Sequence, residues 1–381
     1  MCDATTGVIL VTNSLETGGI ERNIRMVAGH LSRRFTAEIW AIDGQPEDAG
    51  GLCELRVFKR SLKFDPLVVL RMRKSLREHS ASIVHFYHFA SGIHVLLANL
   101  TIPRRERKKM VFSFGSARKD SKIISSYFRI IGKCADHITA NSPSVKRGLE
   151  AHGIPPEMIE VLPNGHDPRP FKRSRSKSEL RQQLGLPIDH QLLVTTGRLI
   201  PSKRHCDLIE SLSMMPNECS VSLVIVGDGP LMNDLRKQAV DHNVDHRVMF
   251  VGFQENVPDY LHACDLFVFP SETEGLPNSL IEAALAKIPA IACRAPGVID
   301  VITHEHSGLL VAPRSPYELM MAITRLLSNP TLAHTLAASA CDFALRRYSL
   351  TCMVSQVEQI YARVLGAAAD DDRVSSADKS D

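Results

Sequence analysis

Runs rich in valine, isoleucine and leucine alternate with stretches of helical period along almost the whole chain. Strand-like "GVILVTN" leads through a Gly-Gly turn into the helical "IERNIRMVAGHLSRR", and the alternation continues through "AEIWAID", "LVVLRMRKSLREH", "SIVHFYHF" and "KMVFSFG". After "IEVLPNGHDPRPFKRSRSKSELRQQLGLP", rich in proline and basic residues, it restarts with "QLLVTTG", "SLVIVGDGP", "RVMFVG" and "LFVFP". Continuous apolar runs separated by helices predict parallel strands buried on both faces. The break predicts a linker, with a boundary near residues 165 to 185. The expected architecture is α/β: two doubly wound, Rossmann-like domains, residues 1–170 and 171–345. A helix within 346–366, periodic in Met353, Val357, Ile360, Tyr361 and Val364, could return to the first domain. The acidic segment 367–381 is too poor in apolar residues to order itself.

Length agrees with two domains, since 381 residues exceed what one core usually holds. Apolar content of 44% and charged content of 23% are those of a water-soluble globular protein. The nine cysteines form no Cys-x-x-Cys pair, which argues for reduced thiols in a cytoplasmic compartment and against a zinc site or a disulfide frame. No apolar run approaches the ~18 residues of a membrane span. Residues 1–170 carry 25 Lys and Arg against 17 Asp and Glu, a balance of +8, concentrated in "KRSLKF", "RMRKSLR" and "RRERKK". Such a half suits an anionic membrane surface, a phosphorylated substrate, or merely solvent. Nucleic acid is not expected, because no recognition motif accompanies the basic runs and aromatics make up only 6%.

Three stretches carry candidate chemistry. In "SLETGGIERN", Gly18 and Gly19 stand between the first strand and its helix, where bare backbone favours either a turn or an approaching anion. In "TTGRLIPSKRHCDLI", Gly197 ends a strand, Arg198 follows, and Lys203 stands five residues on. A guanidinium fork and an ammonium near one strand end can hold a diphosphate without a metal. In "SETEGLPNSLIEAALAKIPAIAC", Glu274 lies just past a strand and Glu282 eight residues later in a helix, with Asn278 and Ser279 as candidate N-caps. Ligands of open α/β sheets bind outside the carboxyl ends of strands. An anion-binding end beside hydroxyl-binding carboxylates suits a nucleoside diphosphate sugar; solvated helix glutamates are the ordinary alternative.

These residues, with "VIVGDGPL", "RVMFVGF", "VFPSETEGLPNSLIEA", "HSGLLV", "GGIERN" and "LPNGHD" in order, resemble the retaining, nucleotide-sugar-dependent glycosyltransferases of GT-B fold that form family four. The resemblance spans residues 7 to 365, and its Glu-x7-Glu signature falls on Glu274 and Glu282. It implies two Rossmann-like domains facing a central cleft, an acceptor-side first domain and a donor-binding second one. It further implies that Arg198 and Lys203 hold the donor diphosphate, that Glu274 contacts the sugar, and that Glu282 holds the ribose. Val251, Gly252 and Phe253 would lie by the base, and Gly275 and Leu276 complete the donor-binding set with Gly18, Gly19, Gly197, Asn278 and Ser279.

There are departures. The family's His-Gly pair at the end of "KKMVFSFGS" is Phe114-Gly115 here, which leaves the sugar's polar partner open: His85, His88 and Phe114 are the candidate acceptor or sugar contacts, with structural histidines as the ordinary alternative. Lys287 replaces a family glycine, and Asp300 a frequent glutamate. The expected reaction is transfer of a hexose from a UDP- or GDP-sugar to an acceptor hydroxyl with retention, without a metal or other cofactor. Glycan or lipid-linked acceptors are expected partners, with placement in the cytoplasm, at most peripheral on the cytoplasmic face of a membrane. A catalytically weak, donor-binding subunit is the alternative suggested by Phe114. A nicotinamide oxidoreductase is disfavoured, because no Gly-x-Gly-x-x-Gly follows a strand.

Overall fold

The computed structural model describes residues 5–15, 18–43, 53–62, 64–116, 122–216 and 219–366. The acidic segment 367–381 and Lys63 of "KRSLKF" lie outside them. The chain forms two compact units. Among the described residues, one contains those up to Asn141, Lys146–Gly165 and those from Thr351; the other contains Ser142–Val145 and His166–Leu350.

The first unit holds a seven-stranded parallel sheet of β1 (Thr6–Thr12), β2 (Phe35–Ala41), β3 (Glu54–Val57), β4 (Ile83–Phe86), β5 (Lys109–Phe114), β6 (His137–Ala140) and β7 (Ile159–Val161), in the order β3-β2-β1-β4-β5-β6-β7. The second holds six parallel strands, β8 (Gln191–Thr196), β9 (Val221–Val226), β10 (Val248–Gly252), β11 (Leu266–Phe269), β12 (Ala290–Cys293) and β13 (Leu309–Val311), in the order β10-β9-β8-β11-β12-β13. Both orders run outward from the first strand and then jump back beside it. That doubly wound pattern opens a switch point between β1 and β4 and another between β8 and β11.

Alternation explains why these strands read as unbroken apolar runs. In the second sheet Leu192, Val194, Val224, Val226, Phe267 and Phe269 point into one core, while Leu193, Leu223, Ile225, Leu266 and Val268 point into the other. Successive side chains face opposite ways, and helices cover both faces. The stretch expected to be a linker departs from that expectation. Phe171, Leu180 and Leu186 enter the first of these cores, and Ser176 and Glu179 close a capping box on the helix Lys177–Gln183. Its prolines and cations concealed three core residues.

The C-terminal helix Leu350–Val364 belongs, from Thr351, to the first unit, with Met353, Val357, Ile360 and Tyr361 buried. Tyr361 is fully buried, and its hydroxyl lies 2.8 Å from His85 Nδ1; His85 Nε2 is 2.7 Å from Ser113 Oγ. Burial, helped by the charge of His137, lowers the pKa of His85 to about 3.

Candidate active site

At the switch point of the second unit, the loops after β8 and β11 meet. After β8 the backbone turns at Gly197 with φ +144°, leaving Arg198 exposed; Pro201–Lys203 forms a single 3₁₀ turn before the helix His205–Ser213. Among the described residues Arg198 forms no ion pair. The loop after β9 supports this turn. A Cβ on Gly227 would sit 1.9 Å from the carbonyl oxygen of Gly197, and one on Gly229 would sit 2.7 Å from the backbone of Leu199. Both glycines also have positive φ, 149° and 157°, so glycine is required twice over. The Gly197 N–H donates to the Val226 carbonyl at 3.0 Å and the Gly227 N–H to that of Gly252 at 2.8 Å, which ties the ends of β8, β9 and β10 in a row. The motif "VIVGDGPL" was visible in the chain, but nothing in it assigned this bracing role.

Across the switch point, after β11, Lys203 Nζ donates to Glu274 Oε1 at 2.6 Å, and Ser271 Oγ donates to the same oxygen at 2.5 Å. The ammonium also lies 5.1 Å from the centroid of the Phe269 ring. The side chains of Lys203 and Glu274 are 20% and 13% exposed, so the pair is sheltered yet reachable. Both bonds fall on Oε1. Among the described residues no hydrogen bond reaches Oε2, which leaves that oxygen to accept from a hydroxyl.

The loop after β12 fixes the backbone under Glu274. The Glu274 N–H donates to the Pro296 carbonyl at 3.2 Å, and a Cβ on Gly297 would meet the carbonyl oxygens of Glu274 and Gly275 at 2.6 Å. Glycine at 297, with φ +80°, therefore lets this loop close on the Glu274–Gly275 backbone. Neither Ser271 nor Gly297 was singled out from the sequence. Ser271 opens the stretch "SETEGLPNSLIEAALAKIPAIAC" but carries no spacing signal.

The helix carrying Glu282 runs Asn278–Leu285, with Pro277 in the cap position and no side-chain cap bond. The expected capping by Asn278 or Ser279 is thus corrected: both lie inside the first turn, and Pro277, extended at φ −78° and ψ 92°, holds the cap position. Glu282 is half-buried, Leu276 is buried and Gly275 half-buried. Beyond β10, Phe253 is 60% exposed next to half-buried Val251 and Gly252, and a register shift against β9 falls between Phe250 and Gly252. Its ring offers an open stacking face. Lys287 has φ +56°, which accounts for the family's glycine there: this is a left-handed position just past a helix end, and an L side chain costs about 1 kcal/mol.

His205 begins the helix behind Lys203 and is 3% exposed. Burial, with the charge of Lys203, lowers its pKa from the ordinary 6.5 to about 4. Between those values the unfolded chain takes up a proton that the folded chain refuses, so stability is complete above pH 6.5 and falls as the pH drops toward 4. Urea titrations should show a loss of up to about 1.4 kcal/mol per pH unit from this group. In His205→Gln the slope over that interval should be smaller by that amount, and an unchanged slope would contradict the assignment.

In the first unit Gly18 precedes the helix Gly19–His30 with an extended φ of −172°, so no left-handed strain demands glycine there. Instead a Cβ would meet Glu21 Oε2 at 2.0 Å: the bare backbone leaves room for the Glu21 carboxylate. Glu21 Oε1 lies 3.0 Å from His88 Nε2. Burial acts to raise the Glu21 pKa, but the His88 hydrogen bond, a backbone bond and the nearby charges of His88 and Arg25 carry it below its ordinary value. His85, also proposed as a sugar contact, is 1% exposed with both ring nitrogens engaged, so it serves the core and is corrected. Phe114 is 8% exposed and packs edge-on against Phe128 with ring centroids 5.2 Å apart. It lines a small cavity with Asn23, Ser113, Thr139, Asn141 and Asn164. Among the described residues the side-chain oxygens of Asn23 and Asn141 are buried without a hydrogen bond. Nothing in the spacing of the sequence marks these two polar groups beside Phe114.

Comparison with known proteins defines the class. Residues 176–342 match the family profile described as "Glycosyl transferases group 1", and residues 17–169 the one described as "Glycosyltransferase Family 4". The chain belongs to the family-four glycosyltransferases and has the GT-B fold, and it is a nucleotide-sugar-dependent enzyme. A UDP-Gal:alpha-D-GlcNAc-diphosphoundecaprenol alpha-1,3-galactosyltransferase of Escherichia coli is 26% identical over 314 residues, covering 79% of this chain and 80% of that one. A GDP-mannose-dependent alpha-(1-6)-phosphatidylinositol monomannoside mannosyltransferase of Mycobacterium tuberculosis is 28% identical over 362 residues, covering 88% and 93%. The crystal structure of Anabaena Alr3699/HepE in complex with UDP superposes with a TM-score of 0.84 at 22% identity, covering 94% of this chain and 100% of that one. Among the described residues no helix is long and apolar enough to cross a membrane.

Proposed function

We propose that this chain moves a hexosyl group from a UDP- or GDP-sugar to an acceptor hydroxyl with retention of configuration, in the synthesis of a glycolipid, polysaccharide or lipid-linked glycan. One observation carries the reading: the Lys203 ammonium, on the same loop as exposed Arg198, lies 2.6 Å from the Glu274 carboxylate across the switch point. A phosphate-binding cation and a hydroxyl-binding acid then stand one hydrogen bond apart, as the diphosphate and hexose of a single donor would require. The two relatives act, by their names, on UDP-Gal with a diphosphoundecaprenol and on GDP-mannose with a phosphatidylinositol mannoside. Both support a lipid-bearing acceptor and leave both nucleotides open, and a lipid-bearing acceptor would be met at the surface of a membrane by a peripheral enzyme.

In the proposed reaction the bond from the sugar's anomeric carbon to the diphosphate oxygen breaks, and the acceptor oxygen bonds to that carbon on the same face. The acceptor's proton passes to an oxygen of the departing phosphate, giving the glycoside and a nucleoside diphosphate. Arg198 and Lys203 stabilise the charge developing on the leaving group, a task that strengthens in the transition state and needs no divalent ion. Glu274 Oε2 orients the sugar, Glu282 the ribose, and Phe253 lies along the base.

Turnover of labelled UDP- and GDP-sugars with a lipid-linked acceptor, with and without EDTA, tests this. We expect one donor to turn over and EDTA to leave the rate intact; a strict metal requirement would count against the phosphate assignment. Donor binding without any turnover would favour the second reading, a catalytically weak subunit, which rests on the apolar Phe114 ring in the histidine's place.

A further inference from the structure

Lys203 stands between two fixed points. On one side the Ser202 carbonyl accepts from the Glu272 N–H at 3.1 Å and from Ser271 Oγ at 3.1 Å, which ties the turn to the loop after β11. On the other side Arg204 has φ +53° and ψ +36°, a left-handed conformation that closes the 3₁₀ turn and opens the helix His205–Ser213. Glycine reaches that region freely, whereas an arginine adopts it only against the clash of its Cβ. A side-chain contact opposes that clash. Arg204 Nε donates to Asp207 Oδ2 at 3.0 Å and Arg204 Nη2 to Asp207 Oδ1 at 2.5 Å, while the Asp207 N–H donates to the Arg204 carbonyl at 3.0 Å. The fork therefore grips the same turn that the backbone closes. Asp207 is one of the buried residues of its helix, with Leu208 and Leu212, and its side chain is 3% exposed against 26% for that of Arg204.

A carboxylate among buried helix residues is costly unless it is paired, and an apolar side chain would fill the same space without that cost. We propose that the Arg204–Asp207 pair is a positioning device for Lys203: the two-point fork holds residue 204 left-handed, and the resulting turn aims the Lys203 ammonium at Glu274 Oε1 and at the leaving diphosphate. Neither residue touches the donor; both act through the lysine. Glu272, the other acid near Arg204, accepts from Arg314 Nε at 2.8 Å, so the Arg204 fork is given to Asp207. The strained position adjoins Lys203 and the buried carboxylate lies four residues after it, so the unfavourable features gather where a shift of backbone would move the ammonium most directly. Strain that its surroundings over-determine is a feature of ligand clamps. The inference rests on the donor-binding reading above, which gives Lys203 a diphosphate to hold.

The test is the double variant Arg204→Gly with Asp207→Ala in the full chain, which removes the left-handed strain and the buried charge together. Its urea midpoint should equal or exceed that of the parent, yet it should bind UDP and GDP at least ~10-fold more weakly, because charge-assisted hydrogen bonds weaken as their geometry is lost. Affinity for uridine and guanosine, which carry no phosphate, should not move; a merely structural defect would lower all four alike. In a Lys203→Ala background the same two changes should weaken UDP and GDP binding no further, since residues that act through one another are not additive. Arg204→Lys keeps Asp207 paired and decides the matter if the double variant does not fold: a point charge cannot form the fork, so the fold should hold while diphosphate affinity drops. Parent-like UDP and GDP affinity in these variants, an equal loss of nucleoside affinity, or full additivity with Lys203→Ala would overturn the proposal. If Lys203→Ala alone binds UDP and GDP like the parent, the donor reading fails and the positioning role with it; if Lys203→Ala weakens them and the other variants do not, only the positioning role fails.

Discussion

Glu274→Gln is expected to lower turnover by at least ~100-fold while changing UDP or GDP affinity little, a loss equal to ~2.7 kcal/mol of transition-state stabilisation. The substitution keeps shape and removes charge, so packing against the loop after β12 should survive. Two effects combine at the reacting sugar. The amide carbonyl takes the place of Oε1, which accepts 2.6 Å and 2.5 Å bonds from Lys203 and Ser271, so a donating NH2 stands where Oε2 would accept from the sugar, and Lys203 loses its counter-charge. Either change misplaces the anomeric carbon, and small misplacements are costly in rate. Single-turnover kinetics with saturating donor separate this from a binding defect, and a matching melting temperature excludes unfolding. Near-normal turnover by the folded variant would remove Glu274 from the reaction.

How far this could be read from the chain depends on whether the signal is local. The strands of both sheets are buried on two sides, so the doubly wound architecture shows directly as apolar runs, and Glu274, Arg198 and Lys203 fall at strand ends that the alternation locates. Pairings are another matter. Lys203 and Glu274 are 71 residues apart, and no spacing rule says that one oxygen takes both Lys203 and Ser271. His85 resembled a strand-end ligand, yet it is engaged by a tyrosine hydroxyl 276 residues later, information that only the tertiary fold contains. The glycines at 227, 229 and 297 look like turn residues, and their purpose emerges only from the backbone atoms that a Cβ would strike.

Arg198→Ala and Lys203→Ala should each weaken UDP or GDP binding by roughly 2 to 4 kcal/mol, since charge-assisted bonds to a diphosphate sheltered from water are the strong kind. The two variants should nevertheless differ in stability. Arg198 is exposed and forms no ion pair among the described residues, so its loss should leave the unfolding midpoint where it was. Lys203 neutralises Glu274, whose side chain is only 13% exposed. Removing the lysine leaves a sheltered carboxylate without its counter-charge, and should cost roughly 1 to 3 kcal/mol of folding stability, below the figure for a fully buried pair because water still reaches both groups. Adding Glu274→Gln to Lys203→Ala should recover much of that stability and none of the affinity. Calorimetry and urea unfolding on these three variants separate the two quantities. Unchanged nucleotide affinity in both alanine variants would place the phosphates elsewhere, and equal stability of Arg198→Ala and Lys203→Ala would mean that the Lys203–Glu274 pair contributes nothing to the fold.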